Sequence, residues 1–450
     1  MSCFTAFPSS LPSTSMSRRQ RPPIPIFVSA NFSRVRMASG SASETAQLSS
    51  SPSSLHPLPE KRIVLGCGAV SVDFLAVVKQ FPQPDDKIRS VSAKGKIEGE
   101  IQIKKDMDKA YFEHEFDGVL KVRHSARTFH ERKMAGILVE GGGNAGNALT
   151  CTARLGLRPR LITKVANDGQ GKSILDELES DGVDTKYIVV SKDGNSPFTY
   201  VIVDPQTKTR TCIHTPGDPP MVPDDLSPSS LSSALSGTSL VYFDGRLHET
   251  ALVIAKEASN LGIPILVDAE RKREGLDDLL NLADYVAWTG APTVPSALIA
   301  MLSKLPQAKF VIVTLGESGS VMLERSLHDG PGMGNMDVDS LFDSLKQNID
   351  DSIIPKCFPS KVVMLRADGI GQVTGRIIIG TAEKIPPSEL IDTTGAGDAF
   401  IGAVIYGVCA GMMPEKMLPF AAQVAAANCR ALGARSGLPL HSDARLAQLL

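Results

Sequence analysis

No stretch of this 450-residue chain approaches the roughly 18 to 20 uninterrupted apolar residues that a spanning helix needs, so a helical membrane protein is not expected. An excess of charge of one sign is lacking too. The formal net charge of -2 gives no reason to expect nucleic acid or an anionic membrane as the main partner. The seven cysteines, Cys3, Cys67, Cys151, Cys212, Cys357, Cys409 and Cys429, are scattered, odd in number and without a C-x-x-C pair. This argues against a disulfide framework or a structural zinc site and for reduced, mostly buried thiols. With 42% hydrophobic and 21% charged residues, the expectation is an ordinary soluble globular protein of one large domain or two.

The first 59 residues lack lysine altogether and hold a single acid, Glu44, against 16 serines and five arginines, with prolines breaking any periodicity. They also lack the apolar core of a secretory signal. Residues 1–60 therefore fit an organelle transit peptide, most simply a chloroplast one. A disordered tail on a cytoplasmic protein is the alternative, and Met37 could serve as an internal start.

From Lys61 the texture becomes regular, and residues 61–450 read as the folded domain. "RIVLGCGAVSVDFLAVV" is an apolar run, a glycine turn and a second run; further runs recur at "PRLITKVA", "SLVYFDG", "IPILVDAE", "DYVAW" and "KFVIVTLG". Amphipathic stretches such as "KSILDELESDG" and "ETALVIAKEASNLG" separate them and end on glycine, a helix stop. Strands alternating with helices predict an α/β fold with a mostly parallel sheet. Two segments break the rhythm. Residues 92–138 carry 18 charged residues, and residues 326–376 are long for a loop, although Val338, Leu341, Phe342, Leu345 and Ile349 have helical spacing.

Four short motifs carry chemistry. In "DTTGAGDAF", Gly395, Ala396 and Gly397 open a long apolar helix, so their amides point out of its N-terminus, where the dipole favours an anion. Asp398, one residue further, can take a proton from an attacking hydroxyl. A glycine bend used for helix packing is the bland alternative. "EGGGNAGNALTCTARLG" places glycines and two amides, Asn144 and Asn147, ahead of a helix, as a polyol would need. "VTLGESGSV" ends a strand in a Gly-x-x-Gly loop suited to a nucleotide, and Asp73 follows the first strand, where an acid can bind two sugar hydroxyls.

These residues, in this order, resemble the ribokinase or PfkB carbohydrate kinase family over about residues 62–90 and 139–440, with Asp392-Thr-Thr-Gly-Ala-Gly-Asp398 the most specific mark. The resemblance implies a ribokinase-like, Rossmann-type α/β sandwich with a small β lid. It implies transfer of the ATP γ-phosphate to a sugar hydroxyl with Mg2+, often helped by a monovalent cation such as K+. Asp398 matches the catalytic base, and Gly395, Ala396 and Gly397 the anion hole. Asp73, Gly142, Gly143, Asn144 and Asn147 match the sugar positions, in a spelling more like the ketohexokinase and fructokinase branch. Thr314, Gly316 and Gly319 match the ATP loop, and Asn428 a residue near the adenine. Asp392, Thr394, Gly433 and Ser436 sit where the monovalent-cation loop would be. Arg210 falls on a lid strand, either reaching the phosphates or simply solvated. Relatives often pair through the lid, so a homodimer is implied.

Two other readings stay open: a nucleoside kinase, because this fold hosts several substrates, and a non-catalytic scaffold of the same fold, which departures from the pattern favour. Residues 92–138 interrupt the lid, and the Asn-x-x-Glu that the family usually places after the strand near 284–297 is missing. "NDGQGKSILDEL" imitates a phosphate loop, yet Ala166 stands where its first glycine would be, so Lys172 is expected at the surface. His214 and His248 are isolated in the sequence and are expected to be satisfied or exposed.

Overall fold

The computed structural model describes residues 62–82, 90, 133–134, 137–204, 206, 209–289, 294–326 and 334–447. The serine-rich first 60 residues and most of the interrupting segment 92–138 lie outside these residues. The chain begins with β1 (Ile63–Cys67), β2 (Ser71–Val77), β3 (Lys133–Met134) and β4 (Ile137–Gly142). Helix α1 (Asn144–Arg154), β5 (Arg158–Ala166), α2 (Gly169–Ser180), β6 (Ile188–Ser191), β7 (Phe198–Asp204) and β8 (Thr209–Thr215) follow. Then come α3 (Pro228–Leu235), β9 (Thr238–Phe243), α4 (His248–Asn260), β10 (Ile265–Asp268), α5 (Leu276–Leu280), β11 (Tyr285–Thr289) and α6 (Val294–Lys304). The last part holds β12 (Phe310–Thr314), β13 (Ser320–Arg325), β14 (Asn335–Asp337), α7 (Val338–Lys346), β15 (Cys357–Pro359), β16 (Val363–Ala367), β17 (Gly371–Gly380), α8 (Ala396–Ala410) and α9 (Pro414–Asn428).

The large sheet runs β14-β16-β17-β13-β12-β11-β10-β9-β1-β5-β6, with β15 on β17. From β12 to β6 every pairing is parallel, the β12-β13-β17-β16 pairings are antiparallel, and β14 joins β16 in parallel. Its central strands are buried on both faces, which is why they read as unbroken apolar runs. Alternate residues feed opposite cores: Val64, Leu240 and Ile312 pack with α1, α8 and α9, while Leu65, Val241 and Val311 pack with α4 and α6. The second sheet, β3-β4-β2-β7-β8, is the lid. It is antiparallel apart from β2 against β7, and β8 is exposed along nearly its whole length.

Two readings change. The second apolar run, with Asp73 in it, is not an extension of the first core strand; it is β2, a lid strand. Residues 326–376 are not mainly loop, because β14, β16 and most of β17 widen the large sheet, with α7 where the helical spacing put it. Their strands are short and half-exposed, so they lack the long apolar signature of the centre. Residues 133–134 and 137–138, counted with the interrupting segment, also pair as lid strands. Gly171 and exposed Lys172 open an ordinary helix capped by Asp168, whose Oδ1 accepts from Gly171 N at 2.6 Å, so the phosphate-loop imitation is structural.

Candidate active site

The carboxyl ends of β1, β9, β10 and β12 converge beneath the lid, the usual place for a ligand in an open α/β sheet. Helices α1 and α8, distant in sequence, cross here. Their close approach depends on Gly402, where a Cβ would stand 2.6 Å from Cys151 Cβ and 2.8 Å from the Ala148 carbonyl. The contact brings Asn147 to Asp398: Nδ2 donates to Oδ2 at 2.7 Å.

Helix α8 starts where predicted. Gly395 is its N-cap with φ 71°, a conformation favouring glycine, and Gly397 faces open space. The Ala396 N–H turns back onto the Thr393 carbonyl at 3.2 Å. With the Ala396 N–H engaged, the Gly397 and Asp398 amides of the first turn join that of Gly395 as donors with no backbone partner outside the helix among the described residues. An open helix terminus of this kind fits a phosphoryl group.

Burial raises the Asp398 carboxyl to about 7, with the Asn147 amide opposing and Glu270 and Asp244 reinforcing. Those two acids, with Asp268, end β10 and β9 or follow them, and burial pushes Asp244 and Asp268 upward as well. The strand ends "YFDG" and "LVDAE" were the signals for Asp244 and Asp268, since an acid closing a buried apolar run is rarely idle.

On the acceptor side, Asp73 Oδ1 accepts from Ser71 Oγ at 2.7 Å, and burial raises its carboxyl. Gly142, which pairs with Ser71 on the neighbouring strand, lies under this carboxylate, and a Cβ there would be 2.2 Å from it. Gly142→Ala is expected to lower stability by about 1–3 kcal/mol and to raise the acceptor KM while leaving the ATP KM unchanged. A thermal melt and steady-state kinetics check both. Gly143 caps α1, and Asn144 Nδ2 donates to Glu270 Oε2 at 3.4 Å.

Two residues missed in the sequence hold this side together. Arg435, 2% exposed, donates through Nε to Asn147 Oδ1 (2.9 Å) and through Nη2 to the Gly142 carbonyl (2.9 Å), with Nη1 3.5 Å from Glu177 Oε1. With its oxygen held, the Asn147 amide must present its NH2 to Asp398. Glu140, buried and pushed up to about 7 by that burial, accepts from Ser436 Oγ at 2.9 Å and from Ala434 N, fixing the loop that carries Arg435.

The nucleotide positions divide. Thr314 ends β12, and Gly316 begins the turn that Gly319 closes, its carbonyl accepting from Leu315 N at 2.8 Å. Asn428 leaves its Oδ1 without a hydrogen-bond partner among the described residues. It is fully buried and donates to the Thr394 carbonyl at 2.9 Å, bracing the 392–395 loop from the end of α9. Asp392, Thr394 and Gly433 do come together, but Asp392 already accepts from Thr394 N (3.0 Å), Thr394 Oγ1 (2.8 Å) and Gly433 N (2.9 Å). Ser436 is turned away to Glu140. Arg210 reaches down from β8 to Thr393 Oγ1 at 3.0 Å, so it is not merely solvated. The strand-end loop 290–293, where Asn-x-x-Glu is missing, lies outside the described residues. Among the described residues no three His, Cys, Asp or Glu are grouped to hold a metal by themselves.

Residues 131–337 and 380–440, more than half of the chain, match the pfkB family carbohydrate kinase family. The chain is 23% identical over 297 residues to 5-dehydro-2-deoxygluconokinase of Geobacillus thermodenitrificans, covering 63% of this chain and 77% of that protein. It is 21% identical over 304 residues to ketohexokinase of Mus musculus, covering 64% and 84%. The structure of Arabidopsis thaliana ribokinase complexed with ribose and ATP superposes with a TM-score of 0.51 at 17% identity, covering 86% of this chain and 98% of that one. The ribokinase-like α/β fold, the segmental match and these relatives lead to one conclusion: the chain belongs to the pfkB family of carbohydrate kinases, phosphotransferases acting on sugar hydroxyls.

Proposed function

We propose that the chain transfers the γ-phosphoryl group of MgATP to a hydroxymethyl group of a ketose-like sugar. The observation that carries this reading is the placement of Asp398, a carboxyl with its proton affinity raised to near neutral, beside free amides at the mouth of α8. In the reaction the acceptor oxygen forms a bond to the γ-phosphorus as the bond to the bridging oxygen breaks. Asp398 takes the acceptor proton, and ADP leaves. The Gly397 and Asp398 amides and Arg210 face the charge on the transferring group. Asp73, Asn144 and Asn147 orient the acceptor. Mg2+ usually comes with the nucleotide, held by few carboxylates and by phosphate, and Glu270 and Asp244 are the acids facing Asp398 for that purpose. No step is assigned to K+, since the polar atoms of Asp392 and Thr394 are engaged with each other and with Gly433.

The test is coupled ADP release with MgATP, with and without sugars, across pH. Turnover is expected only with an acceptor, and kcat/KM should fall about tenfold per unit below a pH of about 7, as the base becomes protonated. Acceptor-independent or pH-flat turnover would overturn the assignment of Asp398. The same reading extends to two further properties: import into a plastid, supported by the serine- and arginine-rich first 60 residues, and pairing of two copies through the lid, supported by the exposed outer strand β8.

A further inference from the structure

A cavity of 370 Å³ opens between the lid and the strand ends, lined among others by Ala69, Pro197, His214, Arg246, His248 and Arg273. A larger hollow of 710 Å³ lies at the opposite end of the sheet, by the starts of β1 and β5, away from every catalytic group. Hydrogen bonds tie the lining of the smaller cavity to the acceptor side. Its Ala69 N–H donates to Asp244 at 2.7 Å, and its His214 shares a 3.1 Å hydrogen bond with Thr199, which in turn bonds Asp73. It lies by β1, β5 and β9, whereas the nucleotide turn follows β12, three strands from β9, or about 14 Å across the sheet.

The cations of this cavity are unequally paired. Lys164 is neutralised by Asp225 at 2.8 Å. Arg246 and Arg273 have no ion-pair partner within 4 Å among the described residues, and Arg246 Nε is buried with no hydrogen-bond partner at all. The nearby acids form no ion pair with them: Asp244 accepts from the backbone amides of Ala69, Arg246 and Ala145, and Glu270 accepts from Asn144 and lies 3.5 Å from Arg271 Nε. Glu274 is exposed at the rim. Burial first and then Arg246 lower the proton affinity of Arg273, with Glu270 and Asp244 opposing, and burial followed by both arginines lowers that of His214. The backbone that holds Arg246 is itself constrained, with Leu247 at φ 53°, the one described non-glycine residue in that region. An orphaned buried donor and two facing cations are the surroundings in which a bound anion is strongly favoured.

The geometry points to an acceptor that carries an anionic group, a sugar carboxylate or a sugar phosphate ester, seated on Arg246 and Arg273 at the end of the molecule away from the phosphorylated hydroxymethyl. This rests on the kinase reading for the phosphorylated end only. The probes are fructose, 2-ketogluconate and fructose 1-phosphate, which share a free hydroxymethyl at C6 and differ at C1 in being neutral, carboxylate or phosphate. With the full chain and MgATP, kcat/KM for at least one anionic probe is expected to exceed that for fructose by roughly 10- to 100-fold, and the better of the two names the anion. Arg246→Met and Arg273→Met should erase the advantage through the acceptor KM with the ATP KM unchanged; Arg273→Lys, which keeps charge without the fork, should keep part of it. Fructose used as well as either anion, with both arginine variants unaltered, overturns the proposal. If no probe turns over, the kinase reading fails while the cavity is still decided by titration without ATP. Selective binding of an anion that is lost in Arg273→Met upholds the proposal, and equal or absent binding of all three refutes it.

Discussion

Asp398→Asn is expected to lower kcat by roughly 10²- to 10⁴-fold with little change in either KM, because the substitution removes the proton acceptor and almost no volume. It should also make the protein more stable at alkaline pH. The sign follows from proton binding. The folded carboxyl holds its proton to about pH 7, above the ordinary carboxylate value of 3.8, so ionisation opposes folding increasingly as pH rises between those values. Asparagine carries no such charge among Glu270, Asp244 and Asp268, so the midpoint of thermal unfolding at pH 8 should rise by a few degrees and the gain should vanish near pH 4. Unfolding and kinetics across that range test both halves. A variant that loses activity and stability together at pH 8 would mean that the carboxylate is structural.

Arg435→Met should be the most damaging substitution outside the transferring group. It strips a buried cation from Glu177 and a donor from both Asn147 and the Gly142 carbonyl, a loss of about 3–5 kcal/mol for a broken buried pair. In the fraction that folds, the Asn147 amide is free to turn its oxygen toward Asp398, which holds the proton more tightly, so the acidic limb of the rate profile should move to higher pH. Arg435→Lys is expected to recover part of the stability but not the position of that limb, since one ammonium cannot serve Asn147 and Gly142 together. An unmoved limb in both variants would leave Arg435 with a packing role alone.

The contrast between these two residues explains what could be read from the chain before its fold was known. Asp398 announces itself through its neighbours in sequence, because an anion site at a helix start needs small residues on consecutive positions. Arg435 has no such local necessity. Its partners Asn147, Gly142 and Glu177 come from α1, β4 and α2, and only the tertiary fold brings them together. The bond from Asn428 to the Thr394 carbonyl was hidden for the same reason, since it joins the end of α9 to a loop more than thirty residues away. The central strands were legible because burial on both faces leaves an unbroken apolar run. The strands between 326 and 376 were not, since an edge of a sheet has one face to hide and short, mixed sequences suffice.

The lid has a kinetic consequence. β2 and β4 are antiparallel neighbours, Ala76 opposite Ile137, yet the chain makes a long excursion between them. Loop-closure entropy grows only logarithmically, so even several doublings of such a connection cost about 2 kcal/mol, and the pairing survives. Folding speed is more sensitive. What a short connection would close as a local hairpin becomes a contact of high sequence separation, so the lid should be a late-forming part of the molecule, assembling onto a core whose α1 and α8 are already packed.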